Sequence, residues 1–166
     1  MRIIFLDIDG VIATDMNAFN RNNMYGVYDW CEKPVKVLKE IMDETNAEIV
    51  LSSDWRLHYD MHDMRDMMFN HGLDGSKLIG FTPYHISSAY GDAIFKGRAN
   101  EIVDWIKQHT QKFNPYVEID SVENMKWVAV DDLNMSEYLT NFVHMTNTAL
   151  GLADPGKKEE MLKFLL

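Results

Sequence analysis

Three short apolar runs, each ending in a polar pair, constrain this chain more than anything else in it. Residues 3–8 run into Asp9-Gly10, residues 48–52 end on Ser52-Ser53, and residues 127–130 run into Asp131-Asp132. Runs of this length, rich in β-branched and aromatic residues, read as buried strands. Residues 142–145 read as a fourth. Between them lie helical patterns. Pro34 suits a first helical turn, and Val35, Leu38, Ile41 and Met42 recur at helical spacing over 34–45. A Met-rich helix is predicted over 56–70, closed by Gly72, and another over 99–112 with Ile102, Trp105 and Ile106 on one face. Asp154-Pro155 reads as a cap and first-turn proline opening a last helix that ends at Leu166. Residues 12–33 read as a loop holding one helical turn at most, and 73–97 as turn-rich.

Strands alternating with helices imply an α/β fold, a doubly wound parallel sheet with helices on both faces. Such sheets bind ligands beyond the carboxyl ends of their strands. Asp7/Asp9, Ser52/Ser53 and Asp131/Asp132 all fall at those ends. No repeat, low-complexity tract or linker breaks the pattern, so residues 1–166 are expected to form a single domain.

Charge narrows the function. A formal net charge of −10 argues against an extensive nucleic-acid-binding surface, but not against a nucleotide or strand end brought in with a cation. Cys31 is the only cysteine, which excludes an intrachain disulfide and suits a reducing compartment. No stretch reaches the roughly 20 apolar residues of a membrane span, and Asp7 interrupts the apolar start at once. The expectation is a cytoplasmic protein with no membrane partner; the oligomeric state stays open.

The carboxylates carry the chemistry. Side chains at i and i+2 on a strand point the same way, and a turn at Gly10 lets Asp9 lean over Asp7. Carboxylates converging in one crevice repel each other unless a cation sits among them. An all-oxygen cluster suits Mg²⁺ rather than zinc. One Asp can then act as nucleophile and a neighbour as general acid and base. Taken singly, Asp-Gly after a strand is usually a turn and Asp-Asp before a loop usually a cap or solvated. Their joint occurrence at strand ends speaks for a site.

These segments resemble the haloacid dehalogenase (HAD) superfamily of phosphatases. Phe5-Leu6-Asp7-Ile8-Asp9-Gly10-Val11 is similar to motif one, Ile49-Val50-Leu51-Ser52-Ser53 to motif two, and Val128-Ala129-Val130-Asp131-Asp132 to motif four. The resemblance implies that Asp7 attacks phosphorus to form an aspartyl-phosphate. Asp9 then protonates the leaving oxygen, later activates water, and touches the metal through its backbone carbonyl. Ser52 and Ser53 bind phosphate. Asp7, Asp9, Asp131 and Asp132 are the implied metal set. Motif three requires a cation near Asp7, and both Lys96 and Arg98 precede the predicted helix. Ser52-Ser53-Asp54-Trp55-Arg56, Arg98-Ala99-Asn100-Glu101-Ile102 and Thr146-Asn147-Thr148-Ala149-Leu150-Gly151-Leu152 resemble a narrower group, the HAD domains of RNA-repair proteins and polynucleotide-end phosphatases. That comparison favours Arg98, with Lys96 the alternative. Arg56 is a further phosphate candidate, or else pairs with Asp54 or Asp60. The intervals 12–33 and 73–97 are too short for a large cap domain, so the site is expected to be open.

Other features weigh less. His58 and His62 share the i, i+4 spacing of a metal pair on a predicted helix, but no further ligand accompanies them. Met61, Met64, Met67 and Met68 read as core filling rather than a lid. Tyr25, Tyr28, Trp30 and Tyr84 are loop anchors or platforms for a base. The resulting expectation is an Mg²⁺-dependent phosphomonoester hydrolase acting on a nucleotide or polynucleotide end. A small-metabolite or sugar phosphatase, a protein phosphatase and a non-catalytic phosphate-binding module are the alternatives. A pure binder has no use for Asp9.

Overall fold

The computed structural model describes residues 1–14, 30–85, 93–110 and 125–166. Five strands form one parallel sheet: β1 (Arg2–Leu6), β2 (Glu48–Leu51), β3 (Leu78–Phe81), β4 (Lys126–Asp131) and β5 (Phe142–His144). Their order is β3-β2-β1-β4-β5. In register, Ile3 lies opposite Glu48 on one side and Trp127 on the other. The helices are α1 (Glu32–Thr45), α2 (Met61–Asn70), α3 (Ala93–Thr110) and α4 (Lys157–Leu165).

Alternation along β1 divides the core into two layers. Ile4, Leu6 and Ile8 pack in one cluster with Leu38 and Ile41 of α1, Met64 and Met68 of α2 and Met161 of α4. Ile3 and Phe5 pack in the other with Ala99, Ile102 and Trp105 of α3. Phe5 meets Trp105 and Trp127 edge-on, at 5.4 and 5.8 Å between centroids. Each strand of the sheet's centre is therefore covered on both faces, as its unbroken apolar sequence requires. The chain moves outward from β1 through β2 to β3, then crosses back to β4 on the far side of β1. That reversal opens a crevice between the carboxyl ends of β1 and β4.

Several sequence expectations are corrected. The helix expected over 56–70 is two elements: a 3₁₀ turn, Asp54–Leu57, and α2. Asp60 and Asp63 form a capping box that starts α2 afresh. His58 therefore lies outside the helix, and His62 faces Asp66. The helix expected from residue 99 begins at Ala93, so Lys96 and Arg98 lie within it rather than before it. The interval 73–97 also contains β3. Its Gly80 weakens the strand signal, but a Cβ there would lie 3.2 Å from the Trp105 indole nitrogen. Asp154-Pro155 does not open the last helix; Gly156, at φ +91°, immediately precedes it. Trp30 is buried in its loop and stacked on His71 at 4.9 Å, as the loop-anchor reading has it. Met64 and Met68 are core residues. The readings of Tyr25, Tyr28 and most of 12–33 fall outside the described residues. No helix among the described residues is long and apolar enough to cross a membrane.

Candidate active site

The crevice is built from three strand-end segments, those of β1, β2 and β4. Asp7 follows β1 directly and is tied to its neighbour by Asp7 N–H to the Val130 carbonyl, 3.1 Å. Ser52 follows β2 and is tied by Ser52 N–H to the Leu6 carbonyl, 2.8 Å. Asp131 ends β4. After Asp7 the chain makes a tight turn in which the Ile8 carbonyl accepts the N–H groups of Ile12 and Ala13. Gly10 occupies this turn at φ +74°, and a Cβ on it would stand 2.9 Å from Asp132 Cβ. Only glycine admits both the conformation and the approach.

Asp7, Asp131 and Asp132 converge, with one carboxylate oxygen of each within 4.8 Å of the others. Asp7 and Asp131 are buried and Asp132 is half-buried. Burial pushes the Asp7 carboxyl from 3.8 up to about 7, against the opposing pull of Arg98 and a hydrogen bond from Ser53. Burial, then the charge of Asp7, holds Asp131 well above the usual carboxylate range. Burial also raises Asp132. Three adjacent carboxyl groups that resist ionisation together are groups that a hard cation would stabilise. The donors are all oxygen, so the residues present fit Mg²⁺.

Arg98 reaches this cluster from α3. Its Nη1 donates to the Ser52 carbonyl and lies 3.3 Å from Asp131 Oδ2 and 3.6 Å from Asp7 Oδ1. Its Nη2 donates to Asp54 Oδ1 at 3.0 Å. Burial works against its charge, but Asp131, then Asp7, Asp54 and Glu101, outweigh it and raise its pKa. Lys96, two residues earlier, points to solvent. Arg56 is held by neighbouring protein groups. Its guanidinium donates to Glu101 Oε2 at 2.7 Å and to the Ser53 carbonyl at 2.6 Å, beneath the Tyr84 ring. The expected partner Asp54 is 4.0 Å away, and burial lowers the Arg56 pKa despite Glu101. The Ser52 hydroxyl is buried with no hydrogen-bond partner among the described residues, and Ser53 caps the 3₁₀ turn by accepting the Trp55 N–H.

Asp9 stands apart from the buried trio. It is exposed at the crevice mouth, where its Oδ2 accepts the Trp55 indole N–H at 2.9 Å. Three site neighbours were missed by the sequence reading: Asp54, Trp55 and Glu101. The string Ser52-Ser53-Asp54-Trp55-Arg56 had been noted, but as a resemblance. In the fold, Asp54 meets Arg98, Trp55 meets Asp9 and Arg56 meets Glu101. An exposed acidic turn residue, a buried indole and a helical Glu give no sequence signal of these contacts. The density of polar residues directly after a buried strand is the one hint.

A family of domains described as the HAD domain in Swiss Army Knife RNA repair proteins matches this chain over residues 3–156. No curated protein and no solved structure matches it.

Proposed function

The chain belongs to the HAD domains of Swiss Army Knife RNA repair proteins, and from that premise we propose that it is an Mg²⁺-dependent phosphomonoester hydrolase acting on a nucleotide or polynucleotide terminal phosphate. The observation that carries the proposal is Arg98, buried between Asp7 and Asp131 and beside the unpartnered Ser52 hydroxyl. A guanidinium held at a strand-end carboxylate draws the phosphoryl group toward that carboxylate and stabilises the charge on its oxygens.

In this reading Asp7 is the nucleophile. Its carboxylate oxygen bonds to phosphorus while the ester P–O bond breaks, and Asp9 gives its proton to the departing oxygen. Water then attacks the aspartyl-phosphate, Asp9 takes its proton, and Asp7 is released as a carboxylate with inorganic phosphate. Ser52, Ser53 and Arg98 hold the phosphoryl oxygens. Asp7, Asp131 and Asp132, with the Asp9 carbonyl, would hold Mg²⁺, which supplies shielding of the carboxylate charge from the phosphate. Arg56, engaged with Glu101, supports Ser53 rather than gripping phosphate. The net charge of −10 favours a second reading, a small phosphoester rather than a strand end.

The test compares phosphate release from 5′- and 3′-phosphorylated oligonucleotides, mononucleotides and sugar phosphates, with magnesium or with chelator. Turnover should require magnesium and vanish in Asp7→Asn. Preference for oligonucleotide ends over sugar phosphates supports the leading reading, and the reverse order supports the second. Full activity in chelator, or in folded Asp7→Asn, would sink the mechanism.

A further inference from the structure

The Asp9 backbone is bridged to Ala13 in its turn, and its side chain is anchored by the hydrogen bond from the Trp55 indole at 2.9 Å. The donor is held rigidly. Trp55 is 7% exposed and sits in the 3₁₀ turn capped by Ser53. Its ring packs on Tyr59 at 5.4 Å and on Trp30 at 6.2 Å, and Trp30 stacks in turn on His71. This wall ends on the carboxyl group of Asp9.

A buried indole N–H usually finds an acceptor, and by that rule alone the bond would serve only Trp55. The adjacent ring argues otherwise. Trp30 Nε1 is equally buried and has no hydrogen-bond partner among the described residues. Among the described residues, one indole of this wall is thus left without an acceptor, while Trp55 is aimed at a carboxylate on a different segment.

Indole nitrogen is a donor only. It can bond either oxygen of an ionised carboxylate, and in the protonated acid it favours the carbonyl oxygen, the stronger acceptor of the two. Resting on the phosphatase reading above, we propose that Trp55 is the positioning residue of Asp9: it holds Oδ2, so that Oδ1 carries the proton. When the Asp7 oxygen bonds to phosphorus and the ester bond breaks, the proton on Asp9 Oδ1 passes to the leaving alkoxide, giving an alcohol. When water bonds to phosphorus and the bond to Asp7 breaks, the water proton returns to Oδ1. Trp55 keeps its hydrogen bond to Oδ2 through both steps, so the carboxyl group does not swing as its charge changes.

The test is Trp55→Phe, which keeps a stacked ring and removes the donor, assayed as kcat/KM with magnesium. That constant reports the first step. One substrate is p-nitrophenyl phosphate, whose phenolate leaves without a proton. The other is an alkyl monoester, a 5′-phosphorylated oligonucleotide or a mononucleotide. The loss should be about tenfold or more greater on the alkyl ester than on the aryl ester, a part of what general acid catalysis contributes. In an Asp9→Asn background the same substitution should add little, because the two residues act through one proton. Equal losses on both substrates, or full additivity with Asp9→Asn, overturn the positioning role and leave the phosphatase reading intact. A wild-type protein inactive on both substrates overturns that reading and the positioning role with it. Should Trp55→Phe not fold, Asp9→Ala in ¹⁵N-labelled protein still decides the contact. The Trp55 indole N–H resonance should move by far more than those of the other tryptophans, and an unmoved resonance overturns the proposal.

Discussion

The proposed mechanism asks Asp7 to do two incompatible things, to lie buried beside two other carboxyl groups and to be ionised for attack. Its pKa, pushed from 3.8 to about 7 chiefly by burial, measures that conflict in the metal-free protein. Below about pH 4 the folded and unfolded chains both hold the Asp7 proton, and the group is neutral in its effect. Between about pH 4 and 7 the unfolded chain releases that proton while the folded one retains it, so stability falls as pH rises. Asn at this position does not titrate. The melting temperature of metal-free wild type should therefore fall relative to metal-free Asp7→Asn between pH 4 and 7, measured by calorimetry in chelator. A gap that stays constant with pH would show that Asp7 is not perturbed in this way. Asp7, Asp9, Asp131 and Asp132 were legible in the sequence because each sits at the end of a recognisable buried run. Trp55 and Glu101 were not, because their partners Asp9 and Arg56 lie 46 and 45 residues away, and only the paired sheet brings them together.

Helix α3 decides which cation the site uses. Because it begins at Ala93 rather than near residue 99, Lys96 and Arg98 lie on one continuous helix about 200° apart around its axis. Arg98 is turned into the crevice and Lys96 to solvent. Arg98→Ala should lower kcat/KM by roughly 10²–10³, the scale of losing one preorganised donor, and Lys96→Ala should leave it near wild type. The opposite ranking would move the phosphate clamp to a different turn of α3. Another element acts from a distance. The segment after β5 places Gly151 at φ +53°, where a Cβ would stand 2.1 Å from the Val11 carbonyl oxygen. That carbonyl also accepts the Leu152 N–H at 2.9 Å, so this segment braces the turn that carries Asp9 and Gly10. Gly151→Ala should destabilise the protein by more than about 1 kcal/mol, read as a lowered midpoint in urea. An unchanged midpoint would mean the brace yields without cost. The strands and most helices were legible from apolar runs and periodicity. Helix starts and β3 were not: α3 begins six residues before its expected start at residue 99, and Gly80 thins the apolar pattern of β3 while the fold seats it beneath Trp105.

The whole molecule carries a formal charge of −10, with Arg98 and Arg56 committed to buried carboxylates. A long polyanion gains little from such a surface beyond its terminal phosphate. For phosphorylated single-stranded oligonucleotides, log kcat/KM should fall against log salt with a slope no steeper than about −2, at roughly 0.7 per phosphate contacted. Lengthening the strand should not raise kcat/KM. A steep slope that grows with length would reveal an extended basic track. The order of strands bears on a different matter, the timing of folding. Ile3 pairs on one side with Glu48, which follows early in the chain, and on the other with Trp127, which follows late. Closing the longer loop is the costlier event. While a nascent chain holds only β1 to β3, Asp7 has neither Arg98 of α3 nor Asp131 of β4 beside it. The counter-charge arrives with α3 and the carboxylate cluster only with β4, so the candidate site is complete only when both are in place.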